Sequence, residues 1–406
     1  MGRFIINGGR KLSGEICVSG SKNAALPLIF ASITAHGIST FTNIPDIIDV
    51  EIAFDILRNM GAVVTRVGEL ATVNTSNLEY SPPSEASVSK IRASSYLIGA
   101  CLARFGKVEI LRFGGCNFDN RPIDMHISAA IALGAKLSGD LLVADKLRGA
   151  DIRFDKISVG ATVNAIIMAA SAVGKSRIYG YAREPHIISL IEYLNAAGAK
   201  IRLCDEYIEI YGAELKAADA HVIPDMIEAG SYLALSLMND SELCVQGADF
   251  CQLESFLLAL VNSGAIVEHD LASVTVSGSL TELMNITTAP YPAFPTDLQP
   301  LASPLLARFC GGTITEGVWH NRFGYLGELS KFGVEYESFD GYSVVKPSKF
   351  RSATATSPDL RGGMALVLAA LSVEGESVIY ASELIKRGYA DIVGKLRKIG
   401  ADITEI

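Results

Sequence analysis

Met60-Gly61-Ala62-Val63-Val64 reads as the end of a helix followed at once by a strand. Five further stretches repeat it: Leu133-Gly134-Ala135-Lys136-Leu137, Ala197-Gly198-Ala199-Lys200-Ile201, Ser263-Gly264-Ala265-Ile266-Val267, Phe332-Gly333-Val334-Glu335-Tyr336 and Ile399-Gly400-Ala401-Asp402-Ile403. Neighbouring glycines lie 64 to 73 residues apart, so six units of that length account for nearly all 406 residues. A period this regular means one supersecondary unit used six times.

Each copy follows an amphipathic stretch with apolar residues at i, i+3 and i+4, as in Ile52-Ala53-Phe54-Asp55-Ile56-Leu57 and Leu190-Ile191-Glu192-Tyr193-Leu194. The glycine stops the helix because it takes the left-handed conformation without a Cβ clash. Upstream, a small-residue turn opens a second helix: Ser19-Gly20-Ser21-Lys22-Asn23, Ile91-Arg92-Ala93-Ser94, Ser158-Val159-Gly160-Ala161-Thr162, Glu228-Ala229-Gly230-Ser231, Pro295-Thr296-Asp297 and Asp359-Leu360-Arg361-Gly362-Gly363. These second helices are apolar almost all round, which predicts burial. Each unit therefore has one buried helix, one surface helix and strands between, an α/β architecture with helices inside. The length predicts two domains of about three units each.

The net charge of −9 argues against a nucleic-acid partner. No N-terminal apolar segment and no long uncharged apolar span is present, which predicts a cytoplasmic protein without membrane partners. The seven cysteines form no C-x-x-C pair and the histidines no ligand spacing, so neither a zinc site nor a disulfide framework is expected. P-loop and dinucleotide fingerprints are absent, and no cofactor is expected.

Several charges sit where the backbone disfavours them. A helix N-terminus favours anions, yet Lys22, Arg92 and Arg361 lie at or near such starts. Either each snorkels to water or a bound phosphate or carboxylate supplies the missing negative charge. Cys116, in a Gly/Asn/Asp/Pro loop beside Arg121, reads as a reactive thiol or as an inert small side chain. Asp297 reads as a helix N-cap or as a general base. His126 is as readily structural as functional. Lys156, Arg322 and Arg387 are solvated cations on the same local grounds.

In order along the chain, Ser19-Gly20-Ser21-Lys22-Asn23-Ala24-Ala25-Leu26-Pro27, Arg92-Ala93-Ser94, Gly114-Gly115-Cys116 with Arg121-Pro122-Ile123-Asp124, Ser158-Val159-Gly160-Ala161-Thr162, Pro292-Ala293-Phe294-Pro295-Thr296-Asp297 and Asn321-Arg322-Phe323 resemble the motifs of the enolpyruvyl transferases. The resemblance covers the whole chain. It implies a two-domain inside-out α/β barrel built from six βαβαββ repeats. The expected domains are 22–226 and 1–21 with 227–406, the site lying in the cleft that they form. It implies transfer of the enolpyruvyl group of phosphoenolpyruvate to a hydroxyl of UDP-N-acetylglucosamine, without a metal. By resemblance Cys116 is the loop acid, the thiol that fosfomycin alkylates, and Asp297 is the base. Lys22, Arg121 and Arg387 hold phosphoenolpyruvate, with Asn23 beside Lys22, and Asp359 and Arg361 complete the site. Arg92, Arg121, Pro122, Ile123, Asp124, Met125, Lys156, Ser158, Val159, Gly160, Asp297 and Val318 hold the UDP-sugar, and Arg322 joins the binding set.

Four stretches depart from the family pattern. Asp225-Met226-Ile227-Glu228 stands where Asp-Arg-Ile-Glu is usual, and Asp359-Leu360-Arg361-Gly362-Gly363 where Asp-Leu-Arg-Ala-Ser is. Ile385-Lys386-Arg387-Gly388-Tyr389 replaces Ile-Asp-Arg-Gly-Tyr, and Asn117-Phe118-Asp119 replaces Ala-Ile-Gly. They leave other nucleotide or shikimate-type acceptors open, as well as a weakened UDP-sugar-binding paralogue.

Overall fold

All six pattern glycines have positive φ, between 96° and 115°, the conformation that only glycine adopts without strain. Each is followed by a strand: Val63–Val67, Lys136–Ser138, Lys200–Leu203, Ala265–His269, Glu335–Phe339 and Asp402–Glu405. The computed structural model describes residues 2–82, 84–111, 113–114 and 122–406. Cys116 and Arg121, and the departure at Asn117–Asp119, lie outside the described residues.

The chain divides into two units. In the one formed by residues 2–19 and 224–406, three helices, Met226–Met238, Gln299–Arg308 and Leu360–Leu371, pack on one another and are almost wholly buried. Three four-stranded sheets cover them. One repeat shows the plan. Strand Ile286–Thr288 leads into the buried helix Gln299–Arg308, then strand Gly312–Glu316, helix Tyr325–Leu329, and the hairpin Glu335–Phe339 with Tyr342–Lys346. The first two strands pair in parallel, as a crossover helix requires, and the hairpin pairs antiparallel. A second repeat borrows its first strand, Ser13–Cys17, from the N-terminal segment. The third borrows Arg3–Gly8 as its last strand.

The other unit, residues 20–114 and 122–223, follows the same plan. Its buried helices are Lys22–Ala31, Leu97–Phe105 and Val159–Ser171. Its first repeat takes its first strand from the far end of the unit, Ala220–His221 lying parallel to Ile38–Thr42. The two remaining sheets have four strands and, among the described residues, three.

Two expected helix starts are corrected. Glu228-Ala229-Gly230-Ser231 lies inside the helix Met226–Met238 rather than opening it. Asp225 is the cap, its carboxylate accepting from Ile227 N at 2.8 Å and Glu228 N at 3.1 Å. Gly230 is small for packing, since a Cβ there would come within 2.6 Å of Leu298 Cδ2. Asp297 is not an N-cap: the helix Gln299–Arg308 has Leu298 in that place and no side-chain cap.

Candidate active site

Asp297 is engaged instead by two buried arginines. Its Oδ1 accepts from Arg322 Nη1 at 2.7 Å and its Oδ2 from Arg361 Nε at 3.4 Å. Arg361 is 1% exposed and Arg322 4%, so neither snorkels to water. Burial works against both charges, but Tyr389, Asp297 and Asp225 around Arg361, and Asp297 and Asp359 around Arg322, hold both guanidiniums above their ordinary pKa. The Arg361 guanidinium is buried and lies 5.2 Å from the Tyr389 ring centre. Two cations on one carboxylate favour its ionised form, the state a proton acceptor needs.

Asp359 caps the helix Leu360–Leu371, accepting from Arg361 N and Gly362 N at 3.0 Å each. The cap fixes the backbone from which Arg361 reaches Asp297. Arg387 follows the short helix Ser382–Ile385 and is part-buried. Its neighbour Gly388 packs against Leu360, where a Cβ would meet Leu360 Cδ2 at 2.7 Å. Asp297, Arg322, Asp359, Arg361 and the backbone of Arg387 thus gather around one helix start. Val318 is part-buried in the loop after strand Gly312–Glu316, with its N–H donated to Glu316 at 2.9 Å.

Three family departures have local causes here. A Cβ on Gly362 would approach Tyr325 Cβ at 2.7 Å, and one on Gly363 would meet Ser357 Oγ at 2.1 Å and Ile385 Cγ1 at 2.5 Å. Lys386 pairs with Glu405 at 3.1 Å on the neighbouring strand. Met226 packs against the hydrophobic core of its unit.

In the unit of residues 20–223, Lys22 begins the helix Lys22–Ala31, which has no acid in its first turn. Its Nζ lies 3.0 Å from Asp49 Oδ2, and Asp49 is 2% exposed. Sequence reading missed Asp49, which looks like an ordinary first-turn acid of the helix Ile48–Asn59. Asn23 adjoins Lys22 on the same helix.

Arg92 opens a 3₁₀ turn, Arg92–Tyr96, rather than the α-helix itself, and its Nη2 donates to Pro122 O at 3.5 Å. Pro122 and Ile123 lead into the helix Asp124–Ala132, which carries Asp124 and Met125 in its first turn. That helix packs against Val159–Ser171, whose cap Ser158 accepts from Ala161 N at 3.3 Å. The contact is close at Gly160, where a Cβ would sit 3.0 Å from His126 Cε1. Two helix starts with Arg92 beside them meet at this corner, one of them capped by Ser158 and the other carrying Asp124 in its first turn. Lys156 is exposed on the approach to Ser158.

His126 is 3% exposed and its Nδ1 faces Asn164 Nδ2 at 2.7 Å. The amide oxygen accepts from Gly99 N at 2.6 Å and the amide nitrogen can only donate, so Nδ1 accepts and the proton sits on Nε2. Burial, and then the nearby Arg92 cation, push its pKa down to about 4, against a smaller opposite pull from Asp124. A depressed folded pKa stabilises the protein above the unfolded value near 6.5, and that gain is lost as pH falls towards 4. His126→Gln is therefore expected to flatten the fall of the urea midpoint between pH 6.5 and 4. An unchanged acid limb would show that His126 does not titrate as its burial requires.

No helix among the described residues is long and apolar enough to cross a membrane. The family model for EPSP synthase (3-phosphoshikimate 1-carboxyvinyltransferase) matches residues 6–396. A UDP-N-acetylglucosamine 1-carboxyvinyltransferase of Halothermothrix orenii is 39% identical over 415 residues, covering 100% of both chains. Its namesake in Streptococcus pneumoniae is also 39% identical, covering 99% of both. The crystal structure of the enolpyruvyl transferase NikO from Streptomyces tendae superposes with a TM-score of 0.89 at 25% identity, over 100% of this chain and 98% of that one. EPSP synthase from Acinetobacter baumannii shares the fold, with a TM-score of 0.76 at 17% identity over the full length of both. With the six repeats and the matched motifs, these likenesses place the chain in the EPSP synthase family, among the enolpyruvyl transferases.

Proposed function

We propose that the protein transfers the enolpyruvyl group of phosphoenolpyruvate to the 3′-hydroxyl of UDP-N-acetylglucosamine, releasing phosphate. This is the first committed step of peptidoglycan precursor synthesis, and the reading places it in the cytoplasm, in cell-wall growth and division. The observation that carries it is full-length identity of 39% to relatives bearing that activity's name. The buried arginines that engage Asp297 support it chemically.

In the proposed reaction the Cys116 thiol gives a proton to the methylene carbon of phosphoenolpyruvate. The sugar hydroxyl oxygen adds to the adjacent carbon, and Asp297 accepts the hydroxyl proton. The tetrahedral ketal then loses phosphate: the carbon–oxygen bond to phosphate breaks as protonated Asp297 returns its proton to the leaving phosphate oxygen, the methyl group gives a proton back to the Cys116 thiolate, and the double bond re-forms. Fixed cations stabilise the phosphate and carboxylate as charge shifts between them. Lys22, Arg121 and Arg387 take that role, with Asn23, Asp359 and Arg361 completing the site. Arg92, Pro122 to Met125, Lys156, Ser158 to Gly160, Val318 and Arg322 bind or orient the UDP-sugar. The local packing causes found at Met226, Gly362, Gly363 and Lys386 weaken the case that those departures encode another acceptor.

The test is phosphate release from phosphoenolpyruvate with and without UDP-N-acetylglucosamine. Release that depends on the sugar and disappears in Cys116→Ala is expected, with a covalent fosfomycin adduct on Cys116 by mass spectrometry. Release only with shikimate 3-phosphate would replace the acceptor. No release with any acceptor, in a protein that still gains thermal stability from the sugar nucleotide, would make it a binding paralogue.

A further inference from the structure

Glu316 is used by none of the roles above, yet it is 1% exposed and accepts four hydrogen bonds. Its Oε1 takes Thr288 Oγ1 at 2.6 Å, Val318 N at 2.9 Å and Trp319 N at 3.0 Å. Its Oε2 takes Thr296 Oγ1 at 3.0 Å. A threonine hydroxyl has one proton, and Thr296 gives it to Glu316, so Thr296 must receive rather than donate on its other side. That is what Arg322 finds: its Nη1 donates to Thr296 Oγ1 at 3.0 Å and to Asp297 Oδ1 at 2.7 Å.

We infer that Glu316 is a positioning residue that, through Thr296 and Arg322, aims the Asp297 carboxylate and, through the Val318 and Trp319 N–H groups, shapes the adjoining loop. The inference rests on the transferase reading above.

The fold does not require an acid there. Glu316 ends the second strand of its repeat, and the corresponding last residues of the other five are Thr42, Glu109, Gln246, Tyr179 and Tyr380. None of those five is buried. Only in the repeat that carries Asp297 does a buried carboxylate occupy the position, beside Thr288 at the end of the parallel strand. Burying an acid costs free energy unless its oxygens are satisfied, and here four donors satisfy them. Among the described residues, charged groups around this corner include Arg361 on Asp297, Asp359 near Arg322 and Asp225 near Arg361.

The test is steady-state kinetics of Thr296→Val, Thr296→Ser, Glu316→Gln and the Glu316→Gln/Thr296→Val double variant in the full chain. Misaiming a reacting group by about 1 Å costs about 10²-fold. Thr296→Val is expected to lower kcat by that order with KM for the sugar nucleotide unchanged, while Thr296→Ser restores kcat. Glu316→Gln should lower kcat equally and also raise KM for the sugar nucleotide, because the Val318 loop loosens. The double variant should be no worse in kcat than Glu316→Gln alone, as expected of groups acting in one chain. Wild-type kcat in Thr296→Val, or multiplied losses in the double variant, would overturn the inference while leaving the transferase reading intact. A wild-type protein without turnover would remove both.

Discussion

Asp297→Asn is expected to lower turnover by roughly 10²–10⁴-fold, the usual contribution of a positioned proton acceptor. The geometry makes the case sharper than the residue type alone. Arg322 at 2.7 Å and Arg361 at 3.4 Å approach the two oxygens of this carboxylate. An asparagine keeps the shape but cannot take the proton, and it leaves two buried guanidiniums facing a neutral amide. Asp297 is 31% exposed, so the lost pairing should cost less than the about 3–5 kcal/mol of a fully buried charge pair. The variant is therefore also expected to be less stable, and turnover must be measured at a temperature where circular dichroism shows it folded. Near-normal turnover in the folded variant would remove Asp297 from the chemistry. Normal stability would mean that the arginines find other anions.

The largest stability effect is expected at another carboxylate, through its partner Lys395. Its Nζ lies 2.6 Å from Glu228 Oε1, and Glu228 is 1% exposed. Glu228 Oε2 also accepts Ser19 N at 2.8 Å, and Oε1 accepts Tyr232 Oη at 3.0 Å. Burial raises the pKa of Glu228, while the Lys395 cation and the Ser19 N–H pull it back. Lys395→Met removes the cation and strands the carboxylate, so a loss of about 3–5 kcal/mol is expected in urea unfolding. The pH dependence has a definite sign. A carboxyl with a raised folded pKa is best tolerated below its unfolded value, and the folded state weakens as pH climbs through the folded one. The deficit of Lys395→Met should therefore shrink as pH falls, because Glu228 can then take a proton. Lys395→Met with Glu228→Gln should recover much of the loss at neutral pH. A pH-independent deficit, or no recovery, would refute the stranded-charge explanation.

Backbone-level features were legible in the chain itself. A Gly-stop after an amphipathic helix is a local event, so six copies could be counted and their positive φ anticipated. Burial of the second helices followed from side chains that are apolar on every face, as in Val159–Ser171 and Leu360–Leu371. The cations at helix starts stood out because a lysine or arginine there conflicts with the backbone dipole wherever the helix lies, but the anions that face Lys22 and Arg361 are the protein's own Asp49 and Asp297.

What the local pattern could not give was partnership. Asp297 looked like a cap, but the side chains that claim it come from 25 and 64 residues away. Glu228-Ala229-Gly230-Ser231 looked like a turn, because nothing in those four residues announces that Leu298 needs the space over Gly230. Glu316, Asp49 and Asn164 carried no signal at all, since a polar residue in an apolar run becomes informative only when its burial and its donors are known. The repeat and its helices were set by interactions within a few residues. The acid, its arginines and the glutamate behind them were set by contacts between different elements of the unit, and only the folded chain brings those together.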